Sequence, residues 1–343
     1  MNPLAADLDH ILAHTEGLWE ELRGQRIFIT GGTGFFGCWL LESFAWANEK
    51  LGLNASAVVL SRNPEAFAKK APHLAVNPAV QFHTGDVRNF DFLVGEFSYV
   101  IHAANEDSTK TSEKNLLRRF EIALEGTRHT LEFARQCGAR KFLLTSSGAV
   151  YGRQPSAMTH IPETYNQLPN SSDPFAALGI AKRAAEMLCI LYTSHYGLET
   201  KIARCFAFVG PYLQLDVHYA IGNFIRDALR GGPIQVNGDG TPFRSYLYAS
   251  DLAVWLWTIL FRGQSTRAYN VGSENDLPIR EVAQTVAGVF QPALAVTVAQ
   301  APTPGKPEDR YVPMTSRART ELDLHTYVQL SDSIRRTVQW SMR

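Results

Sequence analysis

Cysteine is scarce in this sequence, with four among 343 residues, and none is placed for cysteine chemistry. Cys38, Cys137, Cys189 and Cys205 stand alone in apolar runs, without CxxC or ligand spacing. They read as buried free thiols in a reducing compartment, and neither a metal site nor a disulfide is expected. A surplus of either charge is also missing, since 33 Lys and Arg balance 33 Asp and Glu. Without a basic excess there is no electrostatic footprint for nucleic acid, and no such partner is expected. No run approaches the roughly 20 apolar residues that cross a bilayer, so no membrane role is expected. The N-terminus carries Asp7, Asp9 and Glu16 instead of a basic region before an apolar core. No secretion signal is read there, and the expected location is cytoplasmic. Internal repeats and low-complexity tracts are absent too. The Pro-rich stretch Ala301–Pro307 reads as a surface loop.

What is present is a globular composition, 45% apolar, long enough for one large or two modest domains. Its most informative stretch is residues 26–37. A short apolar run, Ile27 to Ile29, enters a turn with glycine at 31, 32, 34 and 37, and Cys38 to Phe44 then begins a helical pattern. Glycines let a backbone turn tightly and approach a pyrophosphate, while the free N–H groups of a helix start attract its charge. Strand, turn and helix in that order predict a dinucleotide site.

Residues 4–22 have helical apolar spacing and read as an N-terminal extension (residues 1–24) ahead of a nucleotide-binding domain (25–206). Strands are expected at Ala57–Leu60, Val80–Phe82, Tyr99–Ile101, Phe142–Leu144 and Lys201–Phe206, the last closing that domain. Long helices are expected over 113–137 and 175–195, the second turning Leu178, Ala181, Ala185, Leu188 and Leu191 inward. Alternating strands and helices argue for an α/β fold, a doubly wound parallel sheet with helices on both faces. Beyond Gly210-Pro211 the loops lengthen and the elements shorten. Residues 207–343 therefore read mainly as a smaller lobe over the carboxyl ends of the strands, with some segments returning to the first domain.

At the end of the second strand stand Ser61 and Arg62, where a carboxylate would hold the ribose of NAD. Arg62 could face a 2′-phosphate, stack against adenine, or be solvated. Asp86, with Val87 beside it, could accept a hydrogen bond from adenine, and the small Ala103 and Ala104 would let the backbone lie against a cofactor. His102 reads as a packed strand-end histidine.

Together these pieces resemble the extended short-chain dehydrogenase/reductases, in particular the nucleotide-sugar epimerase/dehydratase branch. The resemblance rests on Thr30–Gly37, Gly85-Asp86, His102–Ala104, Thr145–Gly152, Lys182, Arg204–Phe206, Gly210-Pro211, Gly238–Gly240, Arg244, Tyr248 with Asp251, Asn270–Ser273 and Arg310-Tyr311. It implies a Rossmann-type fold with a smaller C-terminal substrate-binding lobe, tightly bound NAD or NADP, a nucleoside-diphosphate sugar as substrate, and a homodimer formed through the two long helices. By the same resemblance Gly31, Thr33, Gly34, Phe35, Phe36 and Gly37 would line the pyrophosphate region and Asp86 would meet adenine. Ser147 would bond the reacting hydroxyl, Lys182 the nicotinamide ribose, and Arg244 and Arg310 the substrate diphosphate, since a guanidinium fork binds phosphate oxygens in pairs.

Departures from the family pattern narrow what is expected. The family Tyr, four residues before the Lys on one helix face, takes the hydroxyl proton. Here Leu178 stands in its place, and leucine cannot accept a proton. Gly148 and Ala149 replace the Asp-Glu pair of the 4,6-dehydratases, which disfavours dehydration by that route. Ala123, Ala207 and Val209 replace further family residues, so substrate contacts there are not assumed. Epimerisation or a related redox isomerisation of a nucleotide sugar is the expected activity, with dehydratase or reductase chemistry as the alternative. The proton acceptor would come from Tyr165, His160 or Tyr151. Otherwise the chain binds cofactor and sugar nucleotide without that chemistry, or residue 178 is itself an introduced change.

Overall fold

The computed structural model describes residues 2–105, 115–217 and 220–343. The N-terminal extension is α1 (Ala5–His14) followed by a 3-10 turn at Trp19–Leu22. The helical spacing read over 4–22 is carried by these two elements, and between them Gly17 adopts φ +76°, a left-handed conformation that a helix cannot continue through.

The nucleotide half then alternates as expected. It runs β1 (Arg26–Thr30), α2 (Phe35–Leu51), β2 (Ser56–Ser61), α3 (Pro64–Lys70), α4 (Pro72–Ala75), β3 (Val80–Thr84), β4 (Tyr99–His102), α5 (Leu116–Gln136), β5 (Lys141–Ser147), α6 (Ala177–Tyr196) and β6 (Glu199–Cys205). Residues 113 and 114, expected in the first long helix, lie outside the described residues. Turn chemistry fixes the ends. Asn63 caps α3 by accepting from the Ala66 N–H at 3.0 Å, and left-handed Gly52 and Gly197 stop α2 and α6.

The later part supplies β7 (Phe208–Val209), α7 (Ala220–Leu229), β8 (Ile234–Val236), β9 (Phe243–Ser245), β10 (Leu247–Tyr248), α8 (Ala249–Arg262), β11 (Ala268–Val271), β12 (Asp276–Pro278), α9 (Ile279–Ala287), β13 (Val296–Val298), β14 (Arg310–Tyr311), α10 (Ser316–Leu322) and α11 (Leu330–Ser341).

Among the described residues the main sheet has the order β11-β6-β5-β4-β1-β2-β3, with every neighbour parallel. Its seventh strand comes from the later part of the chain: β11 pairs with β6, Ala268 opposite Ile202, so the sheet is not complete at residue 206. Strand alternation splits the core. Ile27 and Ile29 of β1 face a cluster with α1, α2 and α8, whereas Phe28 faces the side covered by α5 and α6. Helix α8 is buried from Ala249 to Phe261 and brings fully buried Trp255 and Trp257 against the sheet. The second lobe packs α7, α9 and α11 with β8 around Ile221, Phe224, Ile225 and Val282.

One expectation about facing is corrected. Leu191 of α6 is 44% exposed, and Leu117 of α5 is 70% exposed. The α5–α6 layer is one helix deep, so residues opposite the sheet have nothing among the described residues to pack on.

Candidate active site

The sheet order reverses between β1 and β4, and their carboxyl ends open into a cleft of about 330 Å³. At a reversal of this kind adjacent crossovers leave on opposite faces, which creates the crevice. Gly31 ends β1 at φ +70°, and a Cβ there would lie 2.4 Å from the carbonyl carbon of Ala103, so the β1 and β4 turns touch only because residue 31 has no side chain. Gly34 caps α2, and Thr33, Phe35 and Phe36 continue the wall. Gly37 is not in that wall. A Cβ at 37 would sit 2.3 Å from Gly32, so this glycine seats the helix on the turn.

Ser61, Arg62, Asp86 and Val87 form one end of the cleft. Asp86 Oδ1 accepts from the Arg88 backbone N–H at 3.0 Å and from Arg88 Nε at 2.9 Å, and Oδ2 accepts from Nη2 at 3.2 Å. These bonds hold its carboxyl below the usual range against partial burial, with a smaller pull from Arg62. Arg88 also reaches Glu121 Oε2 at 3.0 Å.

Ala103 and Ala104 lie in the middle of the wall, and behind them His102 is wholly buried. The Ala104 N–H donates to Thr30 Oγ1 at 3.3 Å, and Thr30 in turn reaches His102 Nδ1 at 2.8 Å. His102 Nε2 lies 3.0 Å from Thr127 Oγ1, whose own proton goes to the Ala123 carbonyl. A neutral ring protonated on Nε2 satisfies every member of this chain. Burial, together with the charge of Lys182, holds the imidazole well below its ordinary pKa. His102 is the packed histidine expected of it.

At the other end Ser147 closes β5. Its Oγ accepts from the Ala149 N–H at 3.1 Å, which leaves its own proton free to donate into the cleft. Lys182 of α6 is fully buried, donates to the Thr145 carbonyl at 2.8 Å, and burial pushes its ammonium down to about 8. Every cofactor residue expected from the sequence except Gly37 is in this one wall.

A model of the family described as NAD dependent epimerase/dehydratase matches residues 27–272, from β1 to the end of β11. The chain belongs to that family. UDP-glucuronic acid decarboxylase 3 of Arabidopsis thaliana is 30% identical over 310 residues, 90% of this chain and 86% of that one. The UDP-glucose 4-epimerase of Thermus thermophilus, solved in complex with NAD, is 27% identical with a TM-score of 0.73, covering 92% of this chain and 98% of that chain. The UDP-N-acetylglucosamine 4-epimerase of Methanobrevibacter ruminantium M1 shares the fold at a TM-score of 0.77 and 21% identity, covering 93% and 98%.

As a member of the epimerase/dehydratase family the chain keeps the cofactor cleft but places other expected groups elsewhere. Leu178 is half-buried one turn before Lys182 and is not in the cleft wall. The three candidate proton acceptors are not in the wall either. The Tyr165 hydroxyl donates to Gln167 Oε1 at 2.6 Å, and His160 Nε2 lies 2.9 Å from the Glu274 carbonyl. Tyr151 is buried, donates to Asn270 Oδ1 at 2.7 Å, and burial pushes its phenol up to about 12. Arg244 and Arg310 sit on paired strands β9 and β14, each bound to carboxylates: Arg244 to Asp309 at 2.7 Å, and Arg310 to Asp276 at 2.7 Å and to Glu308. Neither lines the cleft.

Two features escaped the sequence reading. Residues 211–217 form a strap whose Leu213, Gln214 and Val217 line the cleft. Helix α2 holds it: Trp39 Nε1 donates to the Pro211 carbonyl at 2.9 Å, and Tyr212 donates to buried Glu42. Glu42 also accepts from His73 at 2.7 Å and Asn2 at 3.2 Å. The second is a buried polar network behind Ser147. Glu186 accepts from Ser146 Oγ at 2.6 Å and from Arg204 Nε and Nη2 at 3.0 and 2.7 Å, while Arg204 Nη1 donates to Tyr151 at 2.9 Å. Only the Gly210-Pro211 turn signalled the first. The second joins α6 and β6 across 18 residues, with no local pattern to reveal it.

Proposed function

We propose that this member of the family holds NAD or NADP in the cleft and acts on a nucleoside-diphosphate sugar, by epimerisation or a related redox isomerisation. The observation that carries this reading is the shared wall: the Gly31–Gly34 turn, the Ala103-Ala104 backbone, Lys182 and Ser147 all border one cavity. The tight Gly31–Ala103 approach is the kind of cradle a pyrophosphate needs. When bound, the nicotinamide supplies reversible hydride exchange with a sugar carbon. Lys182 would orient the ribose and Ser147 would donate to the reacting hydroxyl, while Phe206 and Leu213 add apolar surface to the cleft wall. A role for Arg244 and Arg310 on the substrate diphosphate requires phosphate to replace Asp309, Asp276 and Glu308 as their partners.

A second reading, binding without turnover, is favoured by Leu178. Among the described residues none of Tyr151, His160 and Tyr165 borders the cavity to take over proton transfer. Mass spectrometry of denatured protein tests cofactor binding, and finding neither dinucleotide, with no binding of either, sinks the reading. NMR after incubation with UDP-, dTDP-, CDP- and GDP-sugars tests turnover. Tight binding of one sugar with no product favours the second reading, and turnover gained by Leu178→Tyr identifies the missing base as the defect. Activity unchanged in Ser147→Ala would remove Ser147 from the site.

The same proposal includes a cytoplasmic homodimer. Exposed Leu117, Met187, Ile190 and Leu191 supply an apolar face on α5 and α6 that a second copy would cover. Met187→Glu should lower the mass seen by light scattering to that of one chain.

A further inference from the structure

We infer that the adenosine end of the cleft is built for a 2′-phosphate, so that the chain selects NADP over NAD through Arg62 and Ser61. This deepens the proposal above and rests on its dinucleotide site. Discrimination at this position is decided by the residues immediately after the second strand of the fold. A carboxylate there accepts from a free ribose 2′-hydroxyl and repels a phosphate, whereas an arginine accommodates the phosphate.

The segment after β2 reads Ser61-Arg62-Asn63-Pro64 and contains no carboxylate. Asp86 is the only carboxylate in the described cleft wall, and it cannot take over that task. Its Oδ1 already accepts two hydrogen bonds from Arg88 and its Oδ2 one. With two acceptor sites per oxygen, a single site remains, enough for an adenine amino group but not for a ribose as well. Arg88 is in turn committed to Asp86 and Glu121, so it is not available to a phosphate.

Arg62 is different. Its side chain is exposed in the cleft wall, and among the described residues it has no hydrogen bond and no ion pair within 4.0 Å. A guanidinium in this state offers its full fork to a phosphate. Ser61 completes the subsite. It is buried at the strand end, and its Oγ accepts from the Asn63 N–H at 3.2 Å. That bond uses an oxygen lone pair and leaves the hydroxyl proton to donate. Asn63 Oδ1 caps α3 by accepting from the Ala66 N–H, and the phosphate donors assigned here are Arg62 and Ser61.

The test is calorimetry on purified protein stripped of copurified nucleotide, titrated with NADP+, NAD+, and the nicotinamide-free pair adenosine 2′,5′-bisphosphate and 5′-AMP. NADP+ is expected to bind at least about tenfold tighter than NAD+, the scale of one hydrogen bond to a charged group. The bisphosphate should exceed 5′-AMP by a similar factor. Arg62→Met, which keeps an apolar stem and removes the charge, should cut both preferences to what Ser61 alone supplies and leave NAD+ affinity unchanged. Equal or tighter binding of NAD+ by the unmodified protein would overturn the subsite while leaving the dinucleotide proposal standing. A Met variant that weakens both dinucleotides equally would also overturn it, by assigning Arg62 to the adenine ring. Binding of neither dinucleotide would overturn both readings together.

Discussion

Replacing Glu186 by leucine should be among the most damaging single changes behind the cleft. Glu186 and Arg204 have side-chain exposures of 5% and 7%, and two of the three hydrogen bonds that Glu186 accepts come from that guanidinium. Glu186→Leu strands a buried cation, leaves Ser146 without its acceptor, and should cost about 3–5 kcal/mol. Unfolding entropy of roughly 2.1 cal/mol/K per residue over 343 residues gives about 0.7 kcal/mol/K. The expected fall in melting temperature is therefore about 4–7 °C by calorimetry, with a matching loss in urea titrations. The partner experiment is the double variant Glu186→Leu/Arg204→Met, which removes both charges and fills their volume. It should regain most of the loss, because desolvating two ions consumes much of what their attraction supplies. A single variant that loses less than about 1 kcal/mol, or a double variant no better than Glu186→Leu, would refute the claim that the network is held by mutual neutralisation.

Three further outcomes follow from the same geometry. Gly31→Ala should abolish calorimetrically detectable dinucleotide binding, because its Cβ would meet Ala103 at 2.4 Å; Gly52→Ala, also left-handed but with nothing within 4 Å, should leave binding intact and cost about 1 kcal/mol of stability. Lys182 has a native pKa of about 8 against an ordinary value of 10.5, so the unfolded chain binds more protons between those values and stability rises with pH across that window. Relative to Lys182→Met, the unmodified protein should gain roughly 3 kcal/mol over that range, and a pH-independent difference would show that Lys182 titrates alike in both states. Tyr212→Phe leaves buried Glu42 with one donor fewer; urea unfolding should register a loss of about 1–3 kcal/mol, and hydrogen exchange of the strap amides at 213–217 should quicken.

The parts of the fold that were legible in the sequence were those written in local periodicity. Strands β1, β2, β4 and β5 are short apolar runs bounded by turns, and the glycine spacing at 31, 34 and 37 carried its own steric reason. Lys182 and Ser147 were singled out through the family resemblance, and the fold brings both to the cleft wall. Interactions between distant segments were not legible. Asn270–Val271 was noticed as a motif, yet nothing local marks it as the strand beside β6. Arg244 and Arg310 read as phosphate ligands from their residue type, and only the fold shows Asp309 and Asp276 against them, 65 and 34 residues away. The turn at Gly17 left no mark in the apolar spacing, which continues across a backbone that does not.

The interleaving of the sheet also governs how the protein can be made. Strand β6 emerges well before β11, and α8, whose tryptophans cover one face of the sheet, is synthesised between them. A nascent chain halted after residue 206 would hold six strands with an open edge at β6 and one apolar face covered only in part, by α1 and α2. Domains often fold in order as they leave the ribosome, but here one edge and part of one face of the first half's sheet are completed only by the second.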